Sequence, residues 1–275
     1  MSGRYREFQP PAGLADHVAC VWTFEGDDSD EDQRVAPDAC CELIIHHGAP
    51  YGERGADGGL TPQPRALFAG QLTRPLHLRA EGWSQVTGVR FKPAGAWAFV
   101  GRPLDGLTDR RTPLADLHGD EAVLALLAAC DRVIARSDRF NVILGYVARQ
   151  IAAHPELRDR PVELAAALIQ SSDGQAPVET LARRTGLSPR QLQRRFARAV
   201  GISPRGLAAV ARFRRVFEAL ADADVDTWTD AAQAAGYFDH PQMARDFRRF
   251  VGCTPSAFVA AGGGLARSLA EPGVS

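Results

Sequence analysis

Two stretches near the C-terminal end decide the fold, because they repeat one pattern. The first reads Leu181-Ala-Arg-Arg-Thr-Gly186-Leu-Ser-Pro-Arg-Gln-Leu-Gln-Arg-Arg-Phe196-Ala-Arg-Ala-Val-Gly201-Ile-Ser-Pro204. The second reads Ala231-Ala-Gln-Ala-Ala-Gly236-Tyr-Phe-Asp-His-Pro-Gln-Met-Ala-Arg-Asp-Phe247-Arg-Arg-Phe-Val-Gly252-Cys-Thr-Pro255. Each has a small-residue helix, a glycine turn, an Arg-rich helix with an inward phenylalanine, and then Gly-x-Ser/Thr-Pro. This order predicts two helix-turn-helix units, the motif whose second helix enters a DNA major groove.

In the first copy, residue types mark where each helix begins and ends. Val178–Arg184 is the predicted supporting helix, and Gly186 is the turn residue, since a positive φ costs glycine little. Ser188 is a favoured N-cap and Pro189 suits the first helical position, so a recognition helix is predicted from there to about Val200. Its predicted inward residues are Leu192, Phe196 and Val200. Its predicted outward residues are Arg190, Gln191, Gln193, Arg194 and Arg198.

The second copy follows the same plan with a turn one residue longer. Trp228–Ala235 is the predicted support, Gly236 the turn and Asp239 the N-cap of the second recognition helix. Arginine binds guanine O6 and N7 in a bidentate fork and glutamine binds adenine N6 and N7, each worth roughly 1–3 kcal/mol of discrimination, so such outward faces suit base reading. The predicted inward residues are Met243, Phe247 and Val251. The predicted outward residues are His240, Gln242, Arg245, Arg248 and Arg249.

A helical stripe joins the two copies. Pro204–Ala221 carries apolar residues at helical spacing, and about 17 residues at ~1.5 Å each make a rod of roughly 25 Å. Such a rod suits two recognition helices on one face of DNA, about one turn or roughly 34 Å apart. The acidic residues that follow would repel phosphate, so they are expected away from DNA or at a helix N-terminus. They are Asp222, Asp224, Asp226 and Asp230.

Charge and composition limit the remaining function classes. The net charge of −1 over 275 residues hides an asymmetry, since residues 158–260 carry roughly +4 and the rest roughly −5, which indicates nucleic-acid contact by one domain. No apolar run is long enough for a membrane helix and the N-terminus lacks a signal-peptide core, so no membrane partner is expected. Five scattered cysteines argue against a disulfide framework and predict a cytoplasmic protein: Cys20, Cys40, Cys41, Cys130 and Cys253.

The N-terminal half has the pattern of short strands, which predicts a β-barrel or sandwich. The predicted strands are His17–Glu25, Cys41–His47, Ala66–Ala69, Leu76–Arg79 and Gln85–Phe91, with Gly52–Pro64 as a loop. Asp120–Cys130 and Phe140–Ala153 then have helical spacing and are expected to bridge two domains. The predicted organisation is a β-rich sensor-like domain at 1–112, bridging helices at 113–157, a DNA-binding domain at 158–260 and a flexible tail at 261–275.

The double motif resembles that of AraC/XylS-type transcription regulators over about Val162 to Val259. The resemblance implies a seven-helix DNA-binding domain in which Arg190, Gln193 and Arg194 read one groove. It implies that His240, Gln242 and Arg245 read the next. Phosphate contacts are predicted for Arg195, Arg198, Arg248 and Arg249. The sequence departs from the family pattern at Ala231, Pro241 and Met243, which leaves the base contacts of the second helix open.

The N-terminal half resembles an uncharacterised sensor-type domain, through Pro37–Ile45 and Val89–Gly95. The family often carries a cupin-like β-barrel there, which binds an effector or mediates dimerisation. The fold class is therefore predicted as α+β: an N-terminal cupin-like β-barrel, bridging helices and a C-terminal all-α double helix-turn-helix domain. The predicted function is a sequence-specific regulator that binds double-stranded DNA, has no cofactor and is not an enzyme. A small-molecule effector, a second copy of the chain and RNA polymerase stay open as further partners.

Two alternative functions are compatible with parts of the sequence. The β domain could be catalytic, using a metal or a thiol, with Cys40, Cys41, His46 and His47 as candidates. A structural role is favoured for these four, because neighbours on a strand point to opposite faces and no C-x-x-C spacing is present. Arg90 near Glu42 is interpreted as a surface ion pair rather than as an anion site. The third function is a C-terminal domain that binds protein instead of DNA.

Overall fold

The computed structural model describes residues 4–26, 32–55, 57–220, 228–237 and 240–260. Within these ranges the N-terminal part is built from antiparallel strands and the C-terminal part from helices, as the sequence predicts. The predicted N-cap Asp239, the acidic residues 222–226 and the tail 261–275 lie outside the described residues. No helix within the ranges combines the length and the apolar character that crossing a membrane demands.

The strands of the N-terminal part form two sheets. They are β1 Arg4–Phe8, β2 Val18–Gly26, β3 Gln33–Val35, β4 Glu42–His46, β5 Tyr51–Arg54, β6 Leu60–Pro62, β7 Ala66–Ala69, β8 Leu76–Ala80, β9 Ser84–Phe91 and β10 Arg111–Pro113. A six-stranded sheet has the order β1-β2-β9-β4-β7-β10, and a four-stranded sheet has the order β3-β8-β5-β6. The cupin-like prediction is thus confirmed as an antiparallel β domain, although its described strands do not close into one barrel.

The helices form two groups along the chain. α1 Ala96–Val100, α2 Ala115–His118, α3 Asp120–Arg132 and α4 Arg136–Ala153 belong to the N-terminal half and the bridge. The C-terminal helices are α5 Arg160–Ser171, α6 Val178–Thr185, α7 Pro189–Val200, α8 Pro204–Leu220, α9 Trp228–Ala234, α10 His240–Val251 and α11 Pro255–Ala260. The implied seven-helix domain is therefore present among the described residues.

Strand alternation gives the six-stranded sheet two different faces. On one face, Leu43 and Phe91 join Phe99 of α1 and Ile143 of α4 in a continuous apolar core. On the other face, strands β2 and β4 pack on the four-stranded sheet around Tyr51. The larger sheet is consequently covered by helices on one side and by the smaller sheet on the other.

The loop predicted at Gly52–Pro64 is wrong, because this segment forms strands β5 and β6. Gly52 pairs with Pro62 and Arg54 with Leu60 in an antiparallel register. The glycine and proline content pointed to a loop, but β6 is an edge strand, where proline is tolerated because no neighbour requires its N–H.

The C-terminal helices share a core that also receives the N-terminal half. Phe196 of α7 and Phe247 of α10 are both fully buried in it. Ala36 and Ala39, from the segment between β3 and β4, are buried in the same cluster. The two halves of the chain are thus in direct apolar contact.

Candidate nucleic-acid interface

The start of α7 is fixed by local hydrogen bonds. Gly186 has a φ of +69°, which ends α6 in the left-handed region as the sequence predicts. The Ser188 Oγ accepts a hydrogen bond from the Gln191 N–H at 3.3 Å, and the Gln191 side-chain oxygen accepts one from the Ser188 N–H at 3.0 Å. This capping box gives the first turn of α7 a defined direction, which a helix entering a groove needs.

The two faces of α7 differ as predicted. Leu192, Phe196 and Val200 are buried, whereas Arg190, Gln193, Arg194 and Arg198 are exposed. In the part of the chain that the structure describes, no carboxylate forms an ion pair with the three exposed arginines of this helix. Their guanidinium groups therefore face solvent and can meet phosphate or base edges.

Arg195 points in another direction and binds the α5 helix. Its Nε and Nη2 donate to the two Asp159 carboxylate oxygens at 2.7 and 2.8 Å. Asp159 also caps α5, since its Oδ1 accepts from the Val162 N–H at 3.1 Å. The hydrogen bond with this carboxylate raises the pKa of Arg195 above its ordinary value. Its predicted phosphate contact stays a prediction, and the observed pair instead gives it a part in packing α7 on α5.

The second recognition helix, α10, repeats this arrangement. Met243, Phe247 and Val251 are buried, and Arg245 and Arg248 are exposed. The turn before it contains Gly236 at a φ of +77°, again as predicted. Gln242 is half-buried, while the side chain of His240 lies outside the described part. The structure thus places two of the three base-reading candidates of this helix at least partly at the surface.

Two polar contacts stabilise α10 from its sides. The Tyr237 hydroxyl donates to Asp246 Oδ2 at 3.2 Å, and burial raises the pKa of that aspartate. Arg249 Nε donates to the Thr73 carbonyl oxygen at 3.3 Å, and its guanidinium lies 5.2 Å from the centre of the Phe250 ring. Arg249 was predicted as a phosphate contact, and here it touches the N-terminal half.

Helix α8 connects the two units as a single rod. It has 17 residues, which corresponds to roughly 25 Å. Leu207, Val210, Phe213 and Val216 of this helix are buried. The Phe213 ring lies 5.7 Å from that of Phe247, so α8 packs directly on α10. The rod predicted from the sequence is present, and its packing ties both recognition helices to one core.

The cysteine and histidine pairs of the β domain do not assemble as a metal site. No group of three or more His, Cys, Asp or Glu side chains within the described ranges has an arrangement that could hold a metal ion. Burial raises the pKa of the Cys41 thiol and lowers the pKa of His46 to about 4. These two side chains are therefore neutral near pH 7.

The Arg90 cluster is the main electrostatic feature of the β domain. Arg90 contacts Glu42 at 2.9 Å, Glu7 at 3.0 Å and Asp38 at 3.5 Å, and only 14% of its side chain is exposed. Trp22 Nε1 also donates to Glu42, at 2.9 Å. The predicted ion pair between Arg90 and Glu42 is therefore present, but it is largely buried and not at the surface. Strand β1 and the residues before β4 cover this face of the sheet, which strand alternation in the sequence could not indicate.

Two protein families match parts of the chain. The family described as "Helix-turn-helix domain" matches residues 181–261, and "Domain of unknown function (DUF6597)" matches residues 6–113. No curated protein matches the chain.

Solved structures with a similar course of the chain include two of ToxT from Vibrio cholerae. One, at 1.65 Å resolution, has 10% identity and a TM-score of 0.43 and covers 94% of this chain and 97% of that chain. The other, from Vibrio cholerae O395 bound to (E)-4-(8-methylnaphthalen-1-yl)but-3-enoic acid, has 11% identity and a TM-score of 0.46 and covers 94% and 99%. The AraC-like transcriptional activator CuxR has 16% identity and a TM-score of 0.25 and covers 85% and 100%.

Proposed function

We propose that the chain is a DNA-binding transcription regulator of the AraC type and that it reads two successive major grooves of one duplex. The match of residues 181–261 to the family described as a helix-turn-helix domain supports this proposal. The observation that carries this proposal is the matched exposure of α7 and α10. Both present arginines on the face opposite a fully buried phenylalanine. Both also pack on the single rod α8, which suits two neighbouring groove contacts from one chain.

We assign base reading to the N-terminal halves of the two recognition helices. Arg190, Gln193 and Arg194 read the first groove, and His240, Gln242 and Arg245 read the next. The supporting geometry is the capping box that fixes the exposed first turn of α7, and the surface position of Arg245. Arginine and glutamine supply the donor patterns that distinguish guanine and adenine in the major groove.

Phosphate contacts are a second part of the proposal. Arg198 lies four residues after Arg194, Arg248 lies three residues after Arg245, and both are exposed, so they can meet the DNA backbone. Binding is then expected to weaken with salt, because neutralising phosphates releases counterions. Arg195 and Arg249 have protein partners in this structure and are left out of this set.

Replacing Arg194 or Arg245 with alanine is expected to weaken specific binding by roughly 1–3 kcal/mol for each variant, because each change removes one base contact. The DNA would be selected from a random library with the wild-type protein, and affinity would be measured by gel shift over a salt series. Arg132→Ala, an exposed arginine at the end of α3, is the matched control and should leave affinity unchanged. An equal loss on selected and random DNA would show that the two arginines contact phosphate only.

We further propose that the N-terminal domain, taken as residues 1–112, passes a signal from a small-molecule effector to the DNA-binding domain. The supporting observations are the apolar contact of Ala36 and Ala39 with the C-terminal core and the charged cluster at Arg90. A metabolite library would be screened by thermal shift of the full chain. We expect a hit that raises the melting temperature and also changes DNA affinity; hits that leave affinity unaltered count against an effector role. A second copy of the chain and RNA polymerase stay predictions.

A further inference from the structure

The C-terminal ends of both recognition helices touch the N-terminal half. At α7, the Arg198 carbonyl oxygen accepts a hydrogen bond from the Leu104 N–H at 2.8 Å. The Gly201 carbonyl oxygen accepts one from the Thr108 hydroxyl at 2.5 Å. The last carbonyls of a helix have no partner within the helix, so these bonds from the N-terminal half satisfy groups that would otherwise need water.

At α10, a different loop makes the contact. The Thr73 carbonyl oxygen accepts from Arg249 Nε at 3.3 Å. Gly252, with a φ of +85°, lies near Pro75, and a Cβ added to the glycine would be in ordinary van der Waals contact with the proline Cγ at 3.5 Å. Two loops of the N-terminal half, residues 71–75 and 104–109, therefore each hold the end of one recognition helix.

These two loops are locked to each other through Asp109. Its carboxylate accepts hydrogen bonds from the Thr73 N–H at 2.7 Å and from the Thr73 hydroxyl at 2.6 Å. Its own N–H donates to the Gln71 carbonyl oxygen at 2.8 Å. Asp109 has a φ of +58°, a conformation that aspartate tolerates better than most residues. The two loops thus form one bracket, defined as residues 71–75 and 104–109, across both helix ends.

We infer that this bracket positions the two recognition helices relative to each other for simultaneous DNA contact, with Thr73 and Asp109 as its positioning residues. The inference rests on the proposed reading of two grooves. The bracket contacts described above are at the C-terminal ends, and the arginines assigned to base reading stay exposed. Its arrangement is therefore compatible with a duplex lying along the N-terminal halves.

The bracket is expected to affect how strongly the second recognition helix binds once the first is bound. Once one helix is bound, the other binds from the same chain, and its effective concentration depends on how closely its position is restrained. When the hydrogen bonds between Thr73 and Asp109 are intact, the two recognition helices can adopt fewer relative orientations, and this effective concentration is higher. When these hydrogen bonds are lost, each recognition helix can still bind its own groove, but binding of both helices to one duplex is weaker.

The test uses the full chain and DNA selected with the wild-type protein, in a two-element form and in a form with one element scrambled. Asp109→Ala is expected to weaken binding to the two-element DNA about 10-fold while changing one-element binding less than about 2-fold, because only the joint contact depends on the restraint. Thr73→Val keeps the side-chain shape, loses the hydroxyl bond and is expected to cause a smaller loss of the same kind. Thr61→Val, at an exposed threonine in β6, is the matched control.

Several results would overturn the inference. Equal loss on both DNAs would assign Asp109 a general structural role, and tighter binding to the two-element DNA would mean that the bracket opposes DNA binding. No loss in either variant would show that α8 alone sets the orientation. If Asp109→Ala fails to fold, Thr73→Val decides the matter. A wild-type protein that binds both DNAs equally would instead overturn the two-groove proposal.

Discussion

Replacing Phe247 with alanine is expected to lower the free energy of unfolding by about 3–5 kcal/mol, because the ring is fully buried and the cavity it leaves cannot collapse easily. Its ring centre lies 5.3 Å from that of Trp228, 5.5 Å from that of Phe258 and 5.7 Å from that of Phe213. The phenylalanine thus joins α8, α9, α10 and α11 in one aromatic cluster. Urea unfolding followed by circular dichroism would measure the change.

Leu124→Ala is the control for this prediction. Leu124 lies on α3 with 65% of its surface exposed, so its truncation is expected to change stability by less than about 0.5 kcal/mol. A similar loss for both variants would mean that the aromatic cluster does not hold the second helix-turn-helix unit. DNA binding by Phe247→Ala should fall together with the folded fraction.

Replacing Arg90 with methionine is expected to destabilise the protein by about 3–5 kcal/mol, because Glu7, Asp38 and Glu42 lose the cation that they share while staying largely buried. Burial already raises the pKa of Glu42, and removing the guanidinium should raise it further. A carboxyl whose pKa is higher in the folded state than in the unfolded state stabilises the fold at low pH and loses this effect as the pH rises. The deficit of the variant should therefore be smaller at pH 5 than at pH 8.

Two further variants are the controls for the Arg90 prediction. Adding Glu42→Gln to Arg90→Met should restore part of the stability at pH 8, because one uncompensated charge is removed. Arg54→Met breaks the more exposed pair with Asp32, which has a distance of 2.8 Å, and should cost much less. A pH-independent deficit for Arg90→Met would show that lost packing, rather than charge, explains the effect.

The C-terminal units were predictable because their signals are local. Gly186, Ser188 and Pro189 mark the turn and cap within four residues, and the structure confirms both. The inward faces follow from spacing along one helix, as the burial of Phe196 and Phe247 confirms. The assignment of Arg194 and its neighbours to base reading stays a prediction, because exposure is compatible with a solvated face as well as with a groove.

The features that the sequence did not predict depend on contacts between residues far apart in the chain, and no local sequence pattern indicates such contacts. Asp159 and Arg195 pair across 36 residues, and Arg90 contacts carboxylates from two separate segments, Glu7 from one and Asp38 and Glu42 from the other. The bracket joins Thr73 to Asp109 by the same kind of contact. The hairpin β5–β6 was missed for a related reason, since its pairing overrides the low strand preference of glycine and proline.

The burial of Ala36 and Ala39 among the C-terminal helices limits how the two halves of this chain can be exchanged between proteins. Both alanines are almost fully buried there, so a foreign N-terminal half grafted onto these helices would need similarly small side chains at the same places. In chimaeras that join halves of different proteins, larger side chains at these positions would clash with the helices, and smaller ones would leave a cavity at the interface. The two halves of this protein are thus not interchangeable modules, and any exchange must carry the segment 36–39 along with the helices that enclose it.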